Sequence, residues 1–256
     1  MTQTGSQFVD CWYTVRDFKM LARVSMNQQE VGPIPVVLLH GLGVSGRYML
    51  PTAERLAMHY KVFVPGLPGF GRSDKPPHAL SVEALADLLS AWLEATGIDQ
   101  TVFLGNSLGC QVIVDLAVRY PRQVHSAILV APTVDRVGHT FMRQLWRAFR
   151  DLLREPWSLW PILALDYWAT GTKRLFETCR VALSDPVQKK FSQMHVPTLV
   201  VRGSRDPIVP QRWVEEIVTL LPRGELVVIQ NGTHATNYSA PDELARITSA
   251  FIADQD

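Results

Sequence analysis

A short turn between an apolar run and a helical pattern constrains the fold of this chain most. The turn reads Gly-Asn-Ser-Leu-Gly over 105–109, and the mostly apolar run 101–104 before it predicts a short buried strand. The stretch 108–120 carries apolar residues at helical spacing and stops at Pro121, which predicts a helix. A Gly-x-Ser-x-Gly turn between a strand and a helix is typical of a nucleophile elbow. The strained backbone of such a turn would present the Ser107 hydroxyl at the carboxyl edge of a sheet.

A serine hydroxyl is a weak nucleophile and needs a base, an acid that orients the base, and donors for an oxyanion. His234 is the predicted base, because it follows the apolar run 226–229 in a loop that precedes a helical pattern. Asp206 is the predicted acid, since it lies in the turn after the apolar strand 197–202. Asp135 follows an earlier strand and is the alternative acid, because that strand end could also reach the histidine.

The predicted oxyanion loop reads His-Gly-Leu-Gly and directly follows the apolar run 36–39. Two glycines allow such a loop to fold close over the nucleophile. The backbone N–H groups of Leu42 and Leu108 are therefore the predicted oxyanion donors. Gly41 is predicted to border the substrate pocket, and His40 is expected to hold the loop by hydrogen bonds.

These motifs occur in the order serine, aspartate, histidine, with the His-Gly-x-Gly loop upstream, and this order resembles the α/β-hydrolase fold. The loop 67–73, Leu-Pro-Gly-Phe-Gly-Arg-Ser, is similar to the loop of that family which borders the active site after the fourth strand. The resemblance covers nearly the whole chain and is to the small, capped, esterase-like kind. It implies an α/β fold with a mostly parallel eight-stranded sheet, flanking helices and an inserted helical cap.

The apolar patterns along the chain agree with that architecture. Strands are predicted at 8–16, 19–26, 35–39, 61–64, 101–105, 124–131, 197–202 and 225–230. Helices are predicted at 46–58, 81–95, 108–120, 210–220 and 240–253. Alternating strands and helices with short loops favour a mostly parallel sheet covered on both faces. The core domain is predicted over 1–133 and 193–256.

The segment 134–192 is too long for a simple connection between two core strands. Apolar residues at helical spacing predict a helical cap over the site. Trp146, Trp160 and Trp168 are predicted to line an apolar pocket, although the tryptophans could instead only attach the cap to the sheet. Arginines recur every three or four residues over 143–154, and we expect them to face solvent.

The predicted chemistry is acyl transfer to water through an acyl-enzyme on Ser107, with neither cofactor nor metal. The expected substrate is a small-to-medium apolar carboxylic ester, or a lactone or thioester. One alternative is a carbon–carbon bond hydrolase of ring-cleavage diketones, but the residues 235–238 lack the tryptophan typical of that subgroup. The alternative of another class is a ligand-binding receptor on the same fold, with slow or no turnover.

Composition limits the classes of protein that this chain can represent. Its 256 residues suit one large domain, and 47% hydrophobic residues exclude a disordered chain. A net charge of +1 gives no sign of a nucleic-acid or anionic membrane partner. No apolar run approaches the ~18 residues that span a bilayer, and the first residues lack a signal-peptide pattern. With three cysteines in no metal spacing, a cytoplasmic protein with reduced thiols is expected, as a monomer or homodimer.

Overall fold

The computed structural model describes residues 7–26, 32, 34–133, 135 and 141–255. The predicted N-terminal residues 1–6 and the predicted start of the cap, 134 and 136–140, lie outside the described residues. The described part contains an eight-stranded sheet with the order β1-β2-β4-β3-β5-β6-β7-β8. Its strands are β1 (Phe8–Val15), β2 (Phe18–Ser25), β3 (Val36–Leu39), β4 (Val62–Pro65), β5 (Thr101–Asn106), β6 (Val124–Val130), β7 (Thr198–Gly203) and β8 (Gly224–Ile229).

Strand direction follows the sequence prediction. The first two strands form an antiparallel hairpin, and β2 also runs antiparallel to β4. All the other neighbouring strands are parallel. The predicted α/β fold with a mostly parallel eight-stranded sheet is thus confirmed.

Helices cover both faces of the sheet. They are α1 (Leu50–Leu56), α2 (Val82–Thr96), α3 (Leu108–Arg119), α4 (Phe141–Leu152), α5 (Trp160–Thr170), α6 (Thr172–Ser184), α7 (Val187–Phe191), α8 (Gln211–Leu220), α9 (Thr236–Ser239) and α10 (Pro241–Ala253). Alternate residues of β3 enter two cores: Val37 and Leu39 pack with α2, α3 and α8, whereas Val36 and Leu38 pack with α1 and α10. Burial on both faces explains why the central parallel strands are continuous apolar runs.

Two helical segments differ from the sequence prediction. The predicted helix 46–58 is a 3-10 turn over Gly46–Met49 followed by α1. Pro51 lies in the first turn of α1, where its missing N–H is tolerated, and it prevents a continuous α-helix from Gly46. The short α9 begins two residues after His234 and was not predicted.

The segment between β6 and β7 carries α4 to α7. Val187 and Phe191 of α7 are buried in the same core cluster as α3 and α8, although the boundary predicted from sequence assigns α7 to the cap. None of the helices in the described ranges combines the length and the hydropathy needed to cross a membrane.

Candidate active site

Ser107 lies between β5 and α3 in a strained backbone conformation, with φ 54° and ψ −114°. The flanking glycines are required by steric contact. A Cβ on Gly105 would lie 2.5 Å from Ile113 Cδ1, and one on Gly109 would lie 2.7 Å from the carbonyl oxygen of Leu39. The turn is therefore a nucleophile elbow in its geometry as well as in its residue pattern.

The structure brings His234 and Asp206 together. His234 Nδ1 lies 2.9 Å from Asp206 Oδ2. The other carboxylate oxygen of Asp206 accepts hydrogen bonds from the backbone N–H groups of Ile208, at 2.6 Å, and Val209, at 3.0 Å. These bonds fix the carboxylate, and an Nδ1–H that points at it leaves Nε2 of the ring as the proton acceptor.

Asp135, the alternative acid, has other partners. Its Oδ2 lies 3.1 Å from Arg147 Nη2 and 2.7 Å from Arg212 Nη2. A buried carboxylate of this kind needs such pairing. The arginine periodicity predicts that Arg147 faces solvent, and this is wrong, because its side chain pairs with Asp135 and is 16% exposed. The structure pairs His234 with Asp206 and not with Asp135.

A tyrosine ties the predicted oxyanion loop to the elbow. The backbone N–H of Gly41 donates to Tyr48 Oη at 2.7 Å, and Tyr48 Oη donates to Asn106 Oδ1 at 2.7 Å. Asn106 Nδ2 in turn donates to the carbonyl oxygen of His234 at 3.0 Å. This chain of hydrogen bonds joins the oxyanion loop, the elbow and the histidine loop, and sequence reasoning gave no signal for Tyr48.

His40 holds the same loop from the other side. Its Nε2 accepts a hydrogen bond from the backbone N–H of Leu67 at 3.0 Å, and its Nδ1 lies 2.9 Å from the carbonyl oxygen of Gly41. Burial lowers the pKa of His40, so its ring is neutral at ordinary pH. Within the described residues, the N–H groups of Leu42 and Leu108 have no acceptor in the protein. Both are therefore free to donate to an oxyanion.

Two buried carboxyl groups from the predicted cap contact the histidine loop. Glu155 Oε1 accepts a hydrogen bond from the backbone N–H of Ala235 at 2.8 Å, and its Oε2 accepts one from Thr233 Oγ1 at 2.8 Å. Asp151 Oδ1 accepts a longer hydrogen bond, 3.4 Å, from the backbone N–H of His234. Sequence reasoning missed both residues, because Asp151 lies in the last turn of α4, Glu155 lies beyond the end of that helix, and no motif marks either.

These carboxyl groups change the protonation of the site. Burial lowers the pKa of His234, but the charge and hydrogen bond of Asp206, together with Asp151 and Glu155, outweigh it and raise that pKa to about 9. Burial raises the pKa of Asp151 to about 8, with Glu155 and Asp206 adding to the effect and His234 opposing it. Burial also raises the pKa of Glu155. The site therefore favours a protonated imidazole at neutral pH.

A cavity of about 470 Å³ opens over Ser107 and His234. Gly41, Leu42 and Leu108 border it on the sheet side. Its apolar wall comes mainly from the segment between β6 and β7, including Phe149, Leu152, Leu159, Leu163, Tyr167 and Leu183. No hydrogen bond joins Ser107 Oγ to His234 in this structure; such catalytic hydrogen bonds often tighten only when substrate is bound.

The three tryptophans that the sequence predicts in the pocket do not border this cavity. Trp146 and Trp168 are exposed, at 60% and 84% of their surface. Trp160 stacks on Trp157, with ring centroids 5.3 Å apart. Trp160 and Trp168 directly follow Leu159 and Tyr167, which border the cavity, and one residue turns a helix by about 100°. The pocket prediction is therefore wrong for these tryptophans.

No group of three or more histidine, cysteine, aspartate or glutamate side chains in the described ranges is arranged to hold a metal ion.

Comparisons with known proteins agree with this geometry. The model of the alpha/beta hydrolase family matches residues 36–247. RutD of Pseudomonas syringae pv. syringae, named as a candidate carbamate hydrolase, is 28% identical over 244 residues, which cover 86% of this chain and 94% of that protein. The pimeloyl-acyl-carrier-protein methyl ester esterase of Xanthomonas oryzae pv. oryzae is 28% identical over 248 residues, which cover 85% and 94%.

Among solved structures, a bacterial membrane phospholipase A superposes with a TM-score of 0.82 at 23% identity. The match covers 97% of this chain and 87% of that one. At this identity the similarity concerns the fold alone.

Proposed function

We propose that this chain, which belongs to the alpha/beta hydrolase family, cleaves a small-to-medium apolar carboxylic ester through an acyl-enzyme on Ser107. Its relatives include esterases, lipases and other hydrolases, and the chain is a carboxylesterase-like hydrolase. The observation that carries the finer proposal is the His234–Asp206 pair at 2.9 Å, because His234 borders the same cavity as the strained Ser107.

In the proposed mechanism, Nε2 of His234 takes the proton of Ser107 as its Oγ attacks the ester carbonyl carbon. The oxyanion that forms accepts hydrogen bonds from the N–H groups of Leu42 and Leu108. Loss of one such donor in other enzymes costs about 2.7–4 kcal/mol. Asp206 keeps the Nδ1–H tautomer of His234 and stabilises its charged form.

The imidazolium then gives its proton to the leaving alcohol, and a water molecule, deprotonated by His234, hydrolyses the acyl-enzyme. The products are a carboxylic acid and an alcohol. The same sequence of steps would also open a lactone or cleave a thioester.

The proposed substrate size rests on the cavity. About 470 Å³ lies within the ~300–1,000 Å³ common for small-molecule sites, and its wall is mostly aliphatic and aromatic. The segment 134–192 is proposed to act as a helical cap, because α4 and α5 supply much of that wall. An apolar wall favours an acyl chain over a polar or polymeric substrate.

The test is hydrolysis of p-nitrophenyl esters of increasing acyl length by the wild type and by Ser107→Ala. Turnover that peaks at one acyl length and vanishes in the variant, with unchanged circular dichroism, would support the proposal. Equal turnover by both proteins, or a wild type that no organophosphonate labels at Ser107, would contradict it. Turnover far below ~1 s⁻¹ together with tight ester binding would instead favour the receptor alternative.

A further inference from the structure

The catalytic cavity is bordered by acidic groups without a fixed cation. Asp151 and Glu155 border it, and no lysine or arginine of the described residues does. Two arginines of that segment are already engaged: Arg147 pairs with Asp135, and Arg154 Nη1 donates to the carbonyl oxygen of Arg205 at 2.7 Å. His234 is thus the basic side chain that the cavity offers to a ligand.

The two cap carboxyl groups differ in how well the protein satisfies them. Both oxygens of Glu155 accept hydrogen bonds of 2.8 Å, from Ala235 and Thr233. Asp151 exposes 8% of its surface, and only its Oδ1 has a protein donor, the N–H of His234 at 3.4 Å. No donor reaches Asp151 Oδ2 within the described part of the chain. Since Asp151 borders the cavity, its Oδ2 is open to a hydrogen-bond donor on a bound molecule.

We infer that Asp151 recognises a hydrogen-bond donor on the substrate, an ammonium or hydroxyl group, and that the cavity rejects acyl chains with a negative charge. This inference rests on the proposed ester hydrolysis and narrows its substrate class. The recognised group lies on the cap side of the cavity, next to the backbone of His234.

Electrostatics supports both halves of the inference. An anionic acyl chain would lose its hydration in a mostly apolar cavity whose lining, within the described residues, offers one imidazole and no lysine or arginine in exchange. Burial raises the pKa of Asp151 to about 8, so near neutral pH its carboxyl group is largely protonated and can also donate to a hydroxyl. An ammonium group would favour the ionised form and pair with it.

The experiment uses methyl esters of equal acyl length whose far end is methyl, hydroxymethyl, aminomethyl or carboxylate, each at three acyl lengths. With the wild type, kcat/KM should be on the order of tenfold or more lower for the carboxylate-ended esters than for the methyl-ended ones. At one length or more, the hydroxymethyl or aminomethyl ester should be the best substrate. Asp151→Asn, which keeps size and one acceptor, should remove the preference for the aminomethyl ester over the methyl-ended ester, with both esters compared at the same pH.

Glu54→Gln is the matched control, because it removes one acidic charge from an exposed position on α1 outside the cavity. It should leave all the ratios unchanged. Equal hydrolysis of methyl-ended and carboxylate-ended esters, or unchanged ratios in Asp151→Asn, would overturn the inference while leaving ester hydrolysis intact. Absence of turnover with every ester would instead refute the proposed function.

Calorimetric binding of the same esters to Ser107→Ala provides a second readout that does not depend on turnover or on the folding of Asp151→Asn. Tighter binding of the aminomethyl or hydroxymethyl ester than of the carboxylate-ended one supports the inference. The reverse order overturns it.

Discussion

Replacing Asp206 by asparagine should disable His234 by changing its tautomer. The carboxylate of Asp206 serves two kinds of partner: Oδ1 accepts from the N–H groups of Ile208 and Val209, and Oδ2 faces Nδ1 of His234. Asparagine has one acceptor oxygen and one NH2 group. If the oxygen stays with the two backbone N–H groups, the NH2 group faces Nδ1, which must then accept a hydrogen bond. The ring proton moves to Nε2, which can no longer receive the proton of Ser107.

The opposite amide orientation would keep the productive tautomer but leave both backbone N–H groups facing NH2. At about 1–3 kcal/mol for each unsatisfied buried group, that orientation costs about 2–6 kcal/mol. The unproductive tautomer is therefore preferred. The corresponding change in a serine protease lowers kcat by about 10⁴, or about 5.4 kcal/mol at 1.36 kcal/mol per tenfold, and we expect a similar loss here.

The assay is the steady-state kcat for a p-nitrophenyl ester, with the folded fraction checked by near-ultraviolet circular dichroism. Asp135→Asn is the matched control, because Asp135 bonds Arg147 and Arg212 and not the histidine. It should lower stability, since two arginines lose a buried partner, while kcat per folded molecule stays within about tenfold. A kcat of Asp206→Asn within tenfold of wild type, or a larger loss in Asp135→Asn, would refute the reasoning.

Three further predictions follow from the site. The pKa of His234 is raised to about 9, and the proposed base must be unprotonated, so kcat/KM should rise with pH through that value. Asp151→Asn should move the inflection of this profile to lower pH, because it removes a negative neighbour of His234. A kcat/KM that is already constant at neutral pH would contradict this prediction. Tyr48→Phe removes the acceptor of the Gly41 N–H and the donor to Asn106. The free energy of unfolding in urea should fall by about 1–3 kcal/mol, and esterase assays should show a lower kcat. If both values are unchanged, the tyrosine does not hold the loop. Gly109→Ala places a Cβ 2.7 Å from the Leu39 carbonyl oxygen. Thermal unfolding should therefore show about 1–3 kcal/mol of destabilisation, and esterase activity should fall. A variant as stable as the wild type would mean that the backbone of the elbow can relax.

The elements that sequence predicted well carry local signals. Continuous apolar runs mark the buried parallel strands because those strands are covered on both faces. Ser107, Asp206 and His234 could be proposed because each follows such a run, and parallel strands end at one edge of a sheet. Helix bounds were less accurate at Pro51, where a single residue divides the predicted helix into a 3-10 turn and α1.

The wall of the cavity could not be predicted in the same way. Which side of a cap helix faces the site depends on how that helix docks, and the apolar pattern of α5 is continuous enough to allow several orientations. Leu159, Leu163 and Tyr167 border the cavity, while the neighbouring Trp160 and Trp168 do not. Asp151 was overlooked because a carboxylate in an amphipathic helix is usually solvated, and only the three-dimensional structure shows it against the backbone of His234.

The hydrogen bonds of Glu155 have a consequence for chimeric enzymes. Exchanging the segment between β6 and β7 with that of a relative is an obvious route to a new specificity, since this segment forms much of the cavity wall. Here the exchange also removes Glu155, which accepts hydrogen bonds from Thr233 and Ala235, the two neighbours of His234. A grafted segment that lacks an acidic pair four residues apart would therefore alter the alignment and the pKa of His234 along with the substrate range. In this protein, an exchange of the segment between β6 and β7 would change the substrate range and the reactivity of His234 at the same time.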